Sequence, residues 1–166
     1  MLEAPRIESV TAVGPTTVVV AWRGGRESTV DLAGWIGRDN PRIAPLRDAE
    51  MFKRASVGAL GGNITWDGDE GDLAIDAIHL AMIADEQEPF RAAEAAAWQA
   101  ELGLSNQEAA GLLGVVPSTW NAYKAGATIP ATIARLCRAA HRDPVILHAH
   151  LKPRTPGRPT GTGTPA

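Results

Sequence analysis

The chain has 166 residues and a mass of 17.5 kDa, with 45% hydrophobic and 21% charged residues. That balance is globular and argues against a disordered or fibrous protein. The single cysteine, Cys137, excludes an intrachain disulfide and points to a reducing compartment. The opening Met1-Leu2-Glu3-Ala4-Pro5 has neither the basic nor the apolar region of a signal peptide. No apolar run approaches the roughly 20 residues that span a bilayer. The expectation is therefore a cytoplasmic protein without membrane contact.

Net charge is −3, but it is unevenly distributed. Residues 1–89 carry 8 Lys and Arg against 15 Asp and Glu, a net of −7, whereas residues 90–166 carry 8 against 4, a net of +4. An acidic half joined to a basic half suggests two modules with different partners, although small domains also fluctuate by several charges.

Residues 6–13 alternate weakly and end in Gly14-Pro15; residues 16–22 are rich in β-branched side chains; residues 28–32 form a further short run. With Gly24-Gly25 between the last two, these read as a small antiparallel meander. Residues 45–55 read as one helix, with Pro45 in its first turn and Leu46, Ala49 and Phe52 on one face. Residues 57–60 and 63–66 suggest a second hairpin across Gly61-Gly62. Residues 76–84 suggest a short helix with Ile75, Ile78, Leu80 and Met82 as anchors. Trp22, Trp35 and Trp66 are expected to pack a small core. The acids Asp67, Asp69, Glu70 and Asp72 lack the terminal glutamate of a calcium loop and read as solvated turn residues.

Several of these segments carry a resemblance: Pro5-Arg6-Ile7, the valine-rich strand ending in Trp22, Val30-Asp31-Leu32, Pro45-Leu46-Arg47-Asp48 with Phe52, and Gly61-Gly62-Asn63-Ile64-Thr65-Trp66. Together, over about residues 5–80, they resemble the bacterial "domain of unknown function 2442" family. The resemblance implies a small α+β domain often found beside toxin-like genes, with no established activity. The acidic stretch 67–72 is longer than that family's usual turn.

The second half reads as five helices. Residues 89–102 are alanine-rich, with Phe90, Ala93, Glu94, Ala97, Trp98, Glu101 and Leu102 at three- and four-residue spacing. Ser105 and Glu108 form a capping box for a helix over 106–113 that Gly114 closes. Pro117 opens a third helix ending near Gly126. A fourth, 131–141, turns Ile133, Leu136 and Cys137 inward, and Asp143-Pro144 opens a fifth to about Leu151. Two short helices joined by a glycine-containing turn cross steeply, and one of such a pair can enter the roughly 12 Å major groove of DNA. Ala110 is the small residue that such a crossing needs, and Val115 and Trp120 would fill the wedge.

The run Leu102-Gly103-Leu104-Ser105-Asn106-Gln107-Glu108-Ala109-Ala110, followed by Leu113-Gly114-Val115, Ser118-Thr119-Trp120, Tyr123-Lys124-Ala125-Gly126 and Ile129-Pro130, resembles the phage-repressor/Cro-type (XRE) helix-turn-helix family over about residues 90–151. By position, Asn106 and Gln107 would reach phosphates. Pro117, Ser118, Thr119, Asn121 and Ala122 would form the exposed start and face of the recognition helix, with Asn121 suited to adenine and the Thr119 methyl to thymine. Lys124, Arg135, Arg138 and Arg142 would supply charge to the backbone. Pro117 and Ala122 stand where such families often carry long polar base readers. Gln99 and Lys124 stand where an Arg–Glu pair often links the first and third helices.

Cys137, His141, His148 and His150 lack the paired close spacings of a structural zinc site, and a buried thiol beside exposed histidines is the simpler account. Lys152, Arg154 and Arg158 can add nonspecific attraction to DNA or belong to an inert tail. The expected fold class is an α+β N-terminal domain, a small antiparallel sheet with two short helices over 1–86. An all-α five-helix helix-turn-helix domain follows over 87–152, and then a disordered tail over 153–166. The expected function is a sequence-specific regulator of double-stranded DNA, homodimeric, an antitoxin-type autorepressor in its most specific form. Its N-terminal half would bind a toxin-like protein or dimerise. The alternative is a protein-interaction adaptor whose degenerate helix-turn-helix does not read DNA. No metal, cofactor or catalytic constellation is expected, and an enzyme ranks last.

Overall fold

The computed structural model describes residues 4–38 and 40–154. The leader reading at Met1–Glu3 and the tail from residue 155 onward, Arg158 included, lie outside the described residues. The chain divides into two compact units between Glu88 and Pro89. The architecture is mixed α+β, with two small antiparallel sheets and eight α-helices among the described residues. No helix among those residues is long and apolar enough to cross a membrane.

In the first unit, β1 (Ile7–Ala12), β2 (Thr17–Trp22) and β3 (Glu27–Asp31) form an antiparallel meander in sequence order. Alternation decides its faces: Val18, Val20 and Trp22 of β2, and Ser28 and Val30 of β3, are buried, and their neighbours are not. The buried Ser28 hydroxyl accepts the Trp22 indole N–H at 3.1 Å. The edge at Asp31 is closed from the side: Gln87 Oε1 accepts the Asp31 N–H at 2.9 Å and Gln87 Nε2 donates to the Asp31 carbonyl at 2.8 Å.

Three expectations need correction here. A four-residue helix, α1 (Ala33–Ile36), follows β3, started by the Asp31 carboxylate accepting the Ala33 N–H; it is too short to leave a periodic signal. The single helix expected over 45–55 is broken. A 3₁₀ turn, Ala44–Arg47, stops at Asp48, whose extended backbone (ψ 122°) lets its carboxylate accept the Met51 N–H and cap α2 (Ala49–Phe52). Leu46 and Phe52 are fully buried as the spacing required, but Ala49 is exposed. Finally, the second hairpin is a three-stranded sheet: β4 (Ser56–Val57), β5 (Asn63–Thr65) and β6 (Ala74–Asp76).

Residues 59–61, partly expected as strand, turn in a 3₁₀ helix started by Asp69 Oδ1 accepting the Ala59 N–H. Gly61 closes it at φ +72°, where a Cβ would stand 2.3 Å from the Ile7 carbonyl oxygen. The acidic stretch is therefore partly structural, since Asp67 also accepts the Leu73 N–H. Ile75 lies on β6 and Asp76 caps α3 (Ala77–Gln87) through the His79 N–H. On α3, Leu80 is buried, whereas Ile78 and Met82 are 56% and 54% exposed and anchor nothing. Trp66 completes the core against Phe52 and Trp35, with its indole N–H on the Phe52 carbonyl at 2.9 Å.

The second unit is all helix: α4 (Ala92–Glu101), α5 (Asn106–Leu113), α6 (Pro117–Lys124), α7 (Ala131–Arg142) and α8 (Pro144–His150). Its α4 starts three residues later than the sequence suggested, because Glu94 Oε2 accepts the Arg91 N–H and fixes the helix start there. The inward positions of α4 are Ala95 and Trp98, with Leu102 half-buried after them; Ala93, Glu94, Ala97 and Glu101 face water.

Leu46→Ala should lower the stability of the first unit by about 2–5 kcal/mol, the usual cost of emptying a fully buried leucine site. Ile78→Ala should stay within about 0.5 kcal/mol of wild type. Urea unfolding followed by intrinsic fluorescence separates the two.

Candidate nucleic-acid interface

The turn between α5 and α6 is built from its own sequence. Ser105 Oγ accepts the Glu108 N–H at 3.2 Å and Glu108 Oε2 accepts the Ser105 N–H at 2.8 Å, closing both ends of the capping box. At the other end Gly114 takes the left-handed conformation (φ 69°). The Gly114 and Val115 N–H groups then return to the carbonyls of Gly111 and Ala110, a Schellman closure. Val116 is extended, and Pro117, which has no N–H to lose, opens α6.

Trp120 decides which side of α6 is hidden. It is fully buried, edge-on to Trp98 at 5.6 Å and to Tyr123 at 6.4 Å, and its indole N–H donates to Gln99 Oε1 at 2.7 Å. Ala109 and Ala110 are buried on the facing side of α5. Pro117, Ser118, Asn121 and Ala122 are consequently exposed on α6, with Thr119 half-buried beside them. Gln107 is exposed on the first turn of α5.

The remaining expected residues divide. Asn106 is exposed but its Oδ1 is occupied, accepting both Gln99 Nε2 at 3.0 Å and the Lys124 ammonium. Gln99 Nε2 also donates to the Leu104 carbonyl. Gln99 and Lys124, expected to replace a linking pair, thus meet through Asn106 rather than directly. Arg135 is exposed on α7. Arg138 is held against its own unit, its guanidinium 5.4 Å above the Phe90 ring. That contact joins residues 48 apart, and no local spacing announces it.

Two charge states follow from the packing. Burial pushes the Cys137 thiol up to about 12, and its backbone carbonyl accepts the Trp98 indole N–H at 2.7 Å. His141 faces outward and lies 3.1 Å from Glu101, so Cys137 and His141 do not converge. Among the described residues no group of three His, Cys, Asp or Glu is placed to hold a metal ion. Glu108 is held well down, at about 2, first by the Arg154 backbone N–H at 2.9 Å, then by the Ser105 backbone and side chain.

Chemically, the exposed face of α6 offers short hydrogen-bonding groups, the Ser118 hydroxyl and the Asn121 carboxamide, and no guanidinium. Residues 7–81 match the family model described as "Protein of unknown function (DUF2442)". No curated protein matches the chain. A solved structure from Nitrosomonas europaea ATCC 19718, described as a "Putative DNA Binding Protein", is similar at 25% identity, with a TM-score of 0.47, over 93% of this chain and 98% of its own.

Gln99→Leu should destabilise the second unit by about 1–3 kcal/mol, because the buried Trp120 N–H loses its acceptor; a red-edge change in tryptophan emission should accompany the loss. Glu108 gives a pH signature. Its carboxylate is depressed in the folded chain, so its stabilisation is complete above the ordinary value of 4.5 and vanishes as pH falls through about 2. The stability difference between wild type and Glu108→Ala should therefore narrow between those pH values in acid-unfolding curves.

Proposed function

We propose that this chain is a sequence-specific double-stranded DNA-binding transcriptional regulator whose reading head is a helix-turn-helix of the phage-repressor/Cro type. In this reading α5 crosses the phosphate backbone and α6 enters the major groove. The observation that carries it is the burial of Trp120, which turns Ser118, Asn121 and Ala122 outward together at the start of a helix entered through a tight, capped turn. Asn121 reads adenine, and Ser118 and Thr119 make shorter contacts beside it. Arg135 and Lys124 face phosphates. Because the face is thin in long donors, groove shape and backbone contact carry more of the recognition than direct base readout.

The protein works as a homodimer on a two-fold site, since one module of this size reads few base pairs. It acts in the cytoplasm as a binding protein rather than an enzyme. The N-terminal unit, within the acidic half, dimerises or holds a basic, toxin-like partner, so that an antitoxin-type autorepressor is the most specific form of the proposal.

With a fluorescein-labelled duplex from upstream of the chain's own coding sequence, anisotropy should show saturable, salt-dependent binding. Asn121→Ala should weaken it by about 1–3 kcal/mol, the worth of a bidentate base contact, without changing the melting temperature. Wild-type chain that binds no duplex but retains a neighbouring gene product in a pull-down would establish the adaptor reading instead.

A further inference from the structure

We infer that Lys152 and Arg154 form a basic strap that contacts the DNA backbone beside the first turn of α5. The inference rests on the DNA-binding reading and adds to it a contact surface outside the helix pair.

The helix α8 ends at His150, and Leu151 leaves it in an extended conformation (φ −67°, ψ 129°), half-buried. The backbone then returns to α5, where the Arg154 N–H donates to Glu108 Oε1 at 2.9 Å. A capping-box glutamate needs one oxygen for its own helix, and Glu108 Oε2 fills that role on Ser105. The other oxygen is spent on a residue 46 positions away. The bond is charge-assisted, the stronger class of hydrogen bond, and it ties the end of the described chain to one place.

The place is what gives the tie a use. Lys124 comes from the end of α6 and sets its ammonium on Asn106 Oδ1. The Arg154 backbone N–H meets Glu108. Gln107, between these two anchor residues in sequence, is exposed. Lys152 is two residues from the tied position, within about 7 Å of it along an extended chain. Both Lys152 and Arg154 are exposed. The Lys124 ammonium and the Arg154 backbone, from two distant segments, are thus both fixed to residues 106–108, and the one carboxylate among these three residues is already engaged by two backbone N–H groups. A surface of this kind fits a polyanion of regularly spaced phosphates. Duplex DNA is the partner chosen, because the same turn adjoins the helix pair that reads it.

The test measures binding of the full chain to the labelled upstream duplex, and to a scrambled duplex of equal length, across a salt series. Each lost phosphate contact lowers the slope of log K against log salt by about 0.9. Lys152→Gln/Arg154→Gln should therefore reduce the slope by about 1.8 and weaken both duplexes by the same factor, since a backbone contact carries no sequence information. Lys152→Arg/Arg154→Lys should restore the slope. An unchanged slope, or tighter binding by the Gln variant, overturns the strap. Weakening by Asn121→Ala in the same series would then leave the helix-pair reading standing. Wild-type chain without affinity for either duplex overturns both.

Discussion

The second unit is organised by one buried ring. Trp120 has no solvent exposure, and its N–H must be matched inside the unit because water cannot reach it. Gln99 supplies the acceptor, and as an amide it still has N–H groups to give. It gives them to the Leu104 carbonyl and to Asn106, which in turn receives Lys124. A single requirement of the core is thus passed outward until it fixes a surface lysine. The same ring sets the opposite face. An eight-residue helix is too short to persist alone, so α6 exists only as packed, and the side it packs leaves positions 118, 121 and 122 to the solvent.

Four of the five tryptophans play the same part, by different partners. In the first unit Trp22 donates to the Ser28 hydroxyl and Trp66 to the Phe52 carbonyl; in the second, Trp98 donates to the Cys137 carbonyl and Trp120 to Gln99. Trp22 ties neighbouring strands of one hairpin, whereas Trp66, Trp98 and Trp120 join segments 14, 39 and 21 residues apart. Small units have little core to spare; in the first unit Trp22, Phe52 and Trp66 join a mainly aliphatic core, and in the second Trp98 and Trp120 are the largest buried rings among smaller side chains.

What the sequence made legible follows the range of the interaction responsible. The bounds of α5 were readable because Ser105, Glu108 and Gly114 act within one helical turn of the ends they set. The strands of the meander were readable from β-branched runs between glycines. The break at Asp48 was not, since the spacing of Leu46 and Phe52 fits a continuous helix, and the capping role of Asp48 competes with it at a single dihedral angle. β6 was hidden because three residues carry no period and its pairing with β5 crosses the acidic turn. On the candidate face, the exposed residues of α6 followed from placing Trp120 inside. The engagement of Asn106, the stacking of Arg138 on Phe90 and the tie of Arg154 to Glu108 are contacts between distant segments, which only the assembled unit determines.

That difference bears on how a reading head of this composition would work. In the proposed reading, short side chains on α6 would report shape and a few base edges without reaching far, so the head would have to sit close to the groove. Position then has to be set by the rim. The rim is where the long-range contacts accumulate: the Lys124 ammonium on Asn106, and the Arg154 backbone N–H on Glu108, both on the first turn of α5. In that reading, a cation whose side chain or backbone is already fixed in this way would lose less freedom on meeting a phosphate than one on a free segment, and lost freedom is a main cost of association. In the proposed reading, a sparse face backed by such a rim is a consistent division of labour: the rim would give affinity and orientation, and the face would add discrimination once the orientation is fixed.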